Sequence, residues 1–287
     1  AQETLGAGDP AGLRGAIAAT LAGVCGDLGD VRALETALSE LSEVTRALQA
    51  EGASIEAARL LNDQAALHLR GGDPVKAAWL LDQAREVFEQ RIESMDDAEL
   101  GEDPSPLIEL AETEHLYARL PLHAAARPGR ETDALGLGRE HGLAALEIYR
   151  KLGDEREVAR VQETLARLEL RAGRLRHAEE RLQEALQTQE SLGDVLGLAR
   201  STAVLAEVCA RNGRHDEALR RLSDSVAFNL EKGSSLGVVY NRRALERIAE
   251  TVGKPVDQAL ARAFEEVAGQ IRRAEAIVGG TILPPDE

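Results

Sequence analysis

A glycine-marked repeat of 40 residues constrains the fold of this sequence more than any other feature. Residues 155–194 align with residues 195–234 without a gap at 11 identical positions, which fall at turns and inside helical stretches. Two glycines divide each repeat into segments of about 19 residues, and apolar residues recur in them at the three-to-four spacing of an amphipathic helix. The sequence therefore predicts helical hairpins. The glycines that mark them are Gly153, Gly173, Gly193, Gly213, Gly233 and Gly253.

Residues suited to helix ends stand beside these glycines. Gly173 lies where a chain leaves a helix in the left-handed conformation, which glycine adopts without steric cost. Asp154, Asp194 and Ser234 follow the second glycine of each set, where side chains accept hydrogen bonds from the first free N–H groups of a helix. Glu157 gives Asp154 the spacing of a capping box. We expect a helix to begin after each of these caps.

The composition favours helix and argues against nucleic-acid binding. Aromatic residues make up only 2% of the chain, while alanine and leucine, which favour helix, dominate. The net charge is −16. Nucleic-acid binding needs a surface that neutralises phosphates, and single strands are usually held by stacked aromatic side chains as well. We therefore expect no nucleic acid among the partners.

The repeat resembles the tetratricopeptide repeat (TPR) family in its 40-residue variety, similar to the versions in bacterial peptide-sensing regulators and kinesin light chains. In that family a large and a small apolar residue stand together in the first helix, helix A. A glycine marks the turn, and a small and a bulky residue follow in helix B, so that the two helices approach closely. The matching residues are Leu165, Ala166, Gly173, Ala178, Leu182 and Ala185 in one repeat, and Leu205, Ala206, Gly213, Ala218 and Leu222 in the next.

The resemblance implies an all-α fold, a right-handed α-solenoid of about six antiparallel helix hairpins and hence twelve helices. Residues 1–277 are expected to form a single domain. Within it, residues 155–253 hold the best-defined repeats and residues 255–277 form a capping helix. Residues 278–287 are expected to be a disordered tail.

Upstream of residue 155 the repeat is less regular. Residues 54–94 fit one more hairpin, in which Trp79 on helix B is expected in the core, and residues 105–121 fit a further helix A. Residues 121–136 contain two prolines and two glycines, so we interpret them as an inserted loop. The first hairpin, residues 11–50, shows only an amphipathic pattern with a break at Gly29.

No motif of an enzyme or a metal site stands out. Glu112 and His115 have the spacing of a metal-ligating pair, but a di-iron bundle needs two such pairs and further carboxylates. Cys25 and Cys209 are interpreted as small buried thiols. We expect no catalytic residue, no metal and no cofactor.

The sequence also predicts a cytoplasmic location. No apolar run approaches the roughly 18 residues that span a membrane, and no signal segment is recognisable. The only methionine is Met95, so a start at Ala1 indicates a fragment, a trimmed chain or a processed protein.

Arginines on helix A are the candidate binding residues. In the resembled family, helix A lines the concave side, where exposed positions lie six residues before, one after and five after the small residue. Residues three or four apart share a helix face, so arginines at these positions should form a basic stripe that pairs with carboxylates. The alternative is a solvated surface in which Glu163 and Glu207 pair with these arginines. The candidates are Arg160, Arg167, Arg171, Arg200, Arg211, Tyr240, Arg243 and Arg247.

The predicted function is a protein-interaction scaffold or adaptor, not an enzyme. Its concave groove would bind a peptide or helix of a protein partner, with an acidic segment as the favoured ligand. One alternative is a regulatory or sensor module of a larger signalling or transcription-regulating protein. The other is a regulatory effector with phosphatase-like action, which needs a carboxamide or acidic residue in the groove that the sequence does not single out.

Overall fold

The computed structural model describes residues 31–124, 131–253 and 257–278, which form twelve helices and no strand. The predicted all-α fold is therefore confirmed. The helices are α1 (Val31–Glu51), α2 (Ser54–Arg70), α3 (Pro74–Glu93), α4 (Asp97–Glu102), α5 (Ser105–His123), α6 (Glu131–Leu152), α7 (Glu155–Arg171), α8 (Leu175–Ser191), α9 (Val195–Arg211), α10 (His215–Glu231), α11 (Ser235–Val252) and α12 (Gln258–Ile277).

The chain divides into two compact units, unit 1 (residues 1–148) and unit 2 (residues 149–287), with the boundary near the end of α6. In unit 1, α2 packs against α1 and α3, and α5 packs against α2 and α3. In unit 2, α7 pairs with α8 and α9 pairs with α10, while α9 also contacts α7 and α11. The A helices are thus α2 and α5 in unit 1 and α7, α9 and α11 in unit 2. The single domain over residues 1–277 stays a prediction.

The glycine turns have the predicted left-handed geometry. Gly173 has a φ of 75°, and its N–H donates to the Leu170 carbonyl at 3.1 Å. The next N–H, of Arg174, donates to the Glu169 carbonyl at 2.8 Å. The two bonds satisfy carbonyls that the end of α7 leaves without helical partners, so each turn is closed locally. The same bonds recur at the turns of Gly193, Gly213 and Gly233.

The predicted N-caps are also present. Asp154 accepts a hydrogen bond from the Glu157 N–H at 3.1 Å, and Asp194 accepts one from the Gly197 N–H at 2.9 Å. Ser234 accepts one from the N–H three residues on at 3.1 Å. Each bond satisfies a free donor in the first turn of an A helix, so these caps fix where the A helices of unit 2 begin.

The core of unit 2 is built on small residues at helix crossings. Ala166, Ala178, Ala206 and Ala218 are all fully buried, as predicted. Leucines fill the space between them, and Leu182 is also fully buried. Burying one such leucine stabilises the fold by about 1.5–3 kcal/mol, so the repeated leucines supply much of the driving force for packing.

The inserted loop predicted over residues 121–136 is wrong at both of its ends. Helix α5 continues through Pro121 to His123, and α6 already begins at Glu131; residues 125–130 lie outside the described residues. A Cβ atom at Gly138 would come within 2.8 Å of the Pro121 ring, so the two helices approach too closely there for any other residue. Pro121 stays helical because it lies in the last turn and packs against α6, a tertiary contact that outweighs its local preference.

Trp79 was expected in the core, and this expectation is wrong. Its side chain is on α3 with 53% of its surface exposed, whereas Ala77, Leu81 and Phe88 form the buried side of the same helix. Trp79 lies two residues after Ala77, which turns it by about 200° around the helix, away from the core. The 3.6-residue period, and not the size of the side chain, decides its placement.

Some details differ from the sequence interpretation, and others fall outside the described residues. The short helix α4 was not expected, although Asp96 and Glu99 form a capping box at its start. Helix α12 begins at Gln258, three residues later than the predicted capping helix, and packs on α10 and α11. The first helix of hairpin 11–50, Cys25 and residues 279–287 of the predicted tail lie outside the described residues. None of the described helices has the length and apolar character needed to cross a bilayer.

Candidate functional site

The candidate site is the outward side of α7, α9 and α11, which we call the A face. Along each helix its residues recur at spacings of three or four, and equivalent residues on neighbouring helices are 40 apart. All are exposed or half-buried except Glu163, which is buried. From the N-terminal to the C-terminal ends of the helices, the rows are Arg156, Leu196 and Leu236; Arg160, Arg200 and Tyr240; Glu163, Ala203 and Arg243; Arg167, Glu207 and Arg247; and Arg171, Arg211 and Thr251.

Hydrogen bonds between neighbouring A helices hold these arginines on one surface. Arg200 on α9 donates to Glu163 on α7, with 3.2 Å between Nε and Oε2. Arg247 on α11 makes two bonds, of 2.7 and 2.8 Å, to Glu207 on α9. Arg211 donates to the α7 backbone, 2.6 Å from the Leu170 carbonyl oxygen. Each arginine thus reaches back to the preceding repeat.

Glu163 is the centre of the densest charge cluster on the A face. Its carboxylate is almost fully buried and also receives Arg167, with 2.9 Å between Nη2 and Oε1. Burial alone would raise the pKa of this carboxyl, but the guanidinium groups of Arg167 and Arg200 outweigh it and hold the pKa of Glu163 below its usual value. Glu163 is therefore ionised at neutral pH and offsets part of the arginine charge around it.

All eight candidate residues from the sequence lie on the A face, but their settings differ from the expectation. Arg160 and Arg200, expected at exposed positions, are both half-buried. Arg160 pairs with Glu157 at 2.5 Å and Arg200 with Glu163, because each lies beside a carboxylate of its own or the preceding repeat. Sequence reasoning missed four members of the A face: Arg156, Leu196, Leu236 and Ala203. Residues four before and three after Arg160 share its helix face. Applying the 40-residue repeat to these two positions would have found the missing residues.

The end of the A face on α11 is open to solvent. Tyr240 is 47% exposed, and Leu196 in the neighbouring repeat is 40% exposed. Arg243 is exposed and makes no ion pair with any of the described residues. Guanidinium donors beside apolar side chains can hold a carboxylate and an apolar group of one ligand together.

Unit 1 presents carboxylates on the corresponding helices, α2 and α5. Arg59 pairs with Glu109 across the two helices at 3.1 Å. Burial and, second, the charge of Glu112 raise the pKa of Asp63 to about 6, even though water reaches its side chain. Burial also raises the pKa of Glu109, despite Arg59. Here acidic groups crowd one another, whereas in unit 2 arginines surround the acidic groups.

A partly buried polar network joins three helices of unit 1. The Tyr117 hydroxyl donates to Asp82 on α3, and its ring stacks on His141 of α6 with 4.7 Å between ring centroids. His141 contacts Glu114 at 2.7 Å, and Glu114 also receives Arg85 at 3.3 Å. Burial, followed by Asp82, raises the pKa of Tyr117, so the phenol stays protonated and remains a donor. These groups bond one another, so the network ties α3, α5 and α6 together.

Comparison with known proteins places the fold. No family model and no curated protein matches the sequence. Among solved structures, BtubC (BKLC) from P. vanneervenii covers 98% of this chain and 96% of its own, at 16% identity and a TM-score of 0.54. A structure of a putative kinesin light chain with nearly identical TPR-like repeats, from Podosopora anserina, covers 76% and 94%, at 18% identity and a TM-score of 0.50. With its glycine turns and small-residue crossings, this chain has the fold of the TPR-like repeat solenoids.

Proposed function

We propose that this protein is an interaction scaffold, and that the A face of unit 2 binds a peptide or helix of a protein partner that carries acidic side chains. One observation carries the proposal: arginines from three successive repeats collect on one surface of a chain whose net charge is −16. A fold alone does not imply a function, so the argument rests on this surface. The sensor-module and phosphatase-like alternatives stay predictions.

The glutamates on the A face do not prevent such binding. The pair of Arg247 and Glu207 is partly exposed, and exposed pairs contribute only about 0–1 kcal/mol each. A partner carboxylate can therefore replace Glu207 on Arg247 at small cost. Arg243 needs no such exchange, because it has no ion-pair partner among the described residues. Tyr240 supplies apolar contact one turn away.

The charge of Arg243 is the sharpest test, because replacing it breaks no internal ion pair. The probe is a fluorescein-labelled peptide of alternating glutamate and leucine, with a lysine–leucine peptide of equal length for comparison. Replacing Arg243 by Glu should weaken binding of the acidic peptide on the order of tenfold, or about 1.4 kcal/mol. Raising the salt concentration should weaken the wild-type complex, because ions screen exposed charges.

The matched control is Arg176→Glu. Arg176 lies on α8, away from the A face, and is 89% exposed; its pair with Glu180 at 2.9 Å is exposed as well, so losing it should cost little. It changes the net charge as Arg243→Glu does, so a non-specific charge effect would appear equally in both variants. Circular dichroism checks that both fold. Equal binding by wild type and Arg243→Glu, or preference for the lysine peptide at this surface, would contradict the proposal.

A further inference from the structure

Unit 1 has a second unusual surface, on the opposite side of its helices from the core. Val75 and Trp79 on α3 are 74% and 53% exposed, and Leu137 on α6 is 58% exposed. We call these three residues the outer patch. Single exposed apolar residues are common, but a cluster of large ones marks an interaction site. Trp79 is also the only tryptophan in the chain.

Contacts with α5 fix how α3 and α6 run relative to each other. Asp82 on α3 and His141 on α6 both contact Tyr117 on α5. Arg85 on α3 contacts Glu114 on α5, and Gly138 on α6 packs against Pro121. Both helices therefore run antiparallel to α5 and parallel to each other.

On each helix, a residue of the outer patch lies about one turn before the residue that contacts Tyr117. Trp79 is three residues before Asp82, and Leu137 is four residues before His141, so the two side chains are level on neighbouring parallel helices. Val75 continues the surface by one more turn of α3. The fold does not need these groups, because the core side of α3 is formed by other residues, such as Leu81 and Phe88.

Carboxylates surround the outer patch. Glu86 on α3 and Asp133 and Glu140 on α6 are exposed, and none of them makes an ion pair with another described residue. Residues 1–148 contain 27 acidic and 12 basic residues, so unit 1 carries nearly all of the net charge of −16. A described cation also lies at the patch: the ammonium of Lys76 is 3.8 Å from the centre of the Trp79 ring. The ring face thus already serves as a cation site.

We propose that the outer patch is a docking surface for an amphipathic helix of a protein partner that presents apolar and basic side chains together. Its apolar side chains cover Val75, Trp79 and Leu137, and its lysine or arginine side chains meet Glu86, Asp133 and Glu140. A basic group can also take the place of Lys76 on the Trp79 ring. A second copy of this surface would bring like charges together, so the charges favour a basic partner. This docking is independent of the A face of unit 2.

Trp79 reports directly on this proposal, because all tryptophan fluorescence comes from the outer patch. The probe is an amphipathic helical peptide of leucine and lysine, titrated into the whole chain. We expect saturable binding with a blue shift of the Trp79 emission and reduced quenching by acrylamide. The matched peptide of leucine and glutamate should produce no shift. Emission of the protein alone should not change with protein concentration.

Two variants keep the reporter and test the surface. The double substitution Val75→Ser and Leu137→Ser should weaken binding of the leucine–lysine peptide at least tenfold, while Leu192→Ser, an exposed leucine of unit 2, should not. Circular dichroism and the melting temperature check folding. The proposal fails if the double variant binds normally or if the basic peptide binds without a change at Trp79. It also fails if the acidic peptide binds equally, or if emission shifts with protein concentration because a second copy covers the patch.

Discussion

Units 1 and 2 are built from the same helical hairpins but carry different charges. Unit 1 has 27 acidic and 12 basic residues, whereas unit 2 has 23 and 22. The buried alanines at helix crossings are common to both: Ala77 in unit 1 and Ala178 in unit 2 are fully buried at equivalent positions. The fold therefore depends on small residues at crossings and leaves the solvent-facing positions free to differ, which is where the two proposed binding surfaces lie.

The units also differ in how their repeats are joined. The A helices of unit 2 begin 40 residues apart, at Glu155, Val195 and Ser235, and ion pairs connect one repeat to the next. In unit 1 the A helices begin at Ser54 and Ser105, with the extra helix α4 between them. There, the ion pair of Arg59 and Glu109 and buried side-chain hydrogen bonds together join the two A helices. Thr113 donates to Asn62 at 3.0 Å, for example. When A helices recur every 40 residues, the same contact can be repeated between neighbouring repeats. When their spacing is irregular, each pair of helices needs its own contacts.

The largest effect should come from overfilling a helix crossing. Ala178→Leu in unit 2 and Ala77→Leu in unit 1 should each lower the free energy of unfolding by about 1–3 kcal/mol, because neither site has room for a larger side chain. Thermal and urea unfolding followed by circular dichroism measure this loss. The exposed alanine Ala227, replaced by leucine, is the control. Tolerance of Ala77→Leu alone would show that unit 1 is packed by a different rule, and would break the comparison.

Local signals in the sequence were enough to predict the backbone of unit 2. Gly173 and Asp154 act within a few residues of themselves, through a left-handed turn and an N-cap bond, so their effect can be derived without knowing the fold. Pro121 and Trp79 were misjudged because their placement depends on neighbouring helices: Pro121 on contact with α6, Trp79 on which side of α3 is covered. The sequence could also place arginines on one face. It also offered Glu163 and Glu207 as partners of these arginines, and both are paired. It could not say which arginine reaches which carboxylate, because that depends on how far α9 is offset along α7.

The buried carboxylate of unit 2 should have the next largest effect. Glu163→Gln should lower the free energy of unfolding by about 1–2 kcal/mol. The substitution leaves the guanidinium groups of Arg167 and Arg200 close together without their counter-charge. Urea unfolding at neutral pH measures the cost. Glu207→Gln, at the more exposed pair with Arg247, should cost less. If both substitutions lower the free energy of unfolding equally, burial does not decide how strongly these ion pairs stabilise the fold.

The stabilisation from Glu163 also has a defined sign with pH. Its pKa in the folded protein is lower than usual, so the unfolded chain binds a proton more readily. The stabilisation is therefore complete above the ordinary glutamate pKa of about 4.3 and is lost as the pH falls through the lower, folded pKa. Glu163→Gln removes this dependence, so the variant and the wild type should approach each other in stability at acidic pH.

Asp63 in unit 1 should show the smallest effect and the opposite sign. Its pKa rises from 3.8 to about 6 in the folded protein, so between these values the folded protein holds a proton that the unfolded chain has released. Stability then falls as the pH rises through this window, and the cost is constant above it. Asp63→Asn resembles the protonated form, so it should match the wild type near pH 4 and exceed it at pH 7. Since water screens this side chain, the gain should be no more than about 1 kcal/mol.

The measurement is the difference in unfolding free energy between Asp63→Asn and wild type across this pH range, with Asp224→Asn on the exposed side of α10 as the control. A difference that grows with pH for Asp63→Asn beyond that seen for the control would assign the effect to the burial of Asp63 and its crowding by Glu112. The same difference at both ends of the range would contradict the raised pKa. The surfaces of the two units would then differ only in net charge. The carboxylates of unit 1 would no longer contrast with Glu163 of unit 2, which arginines stabilise.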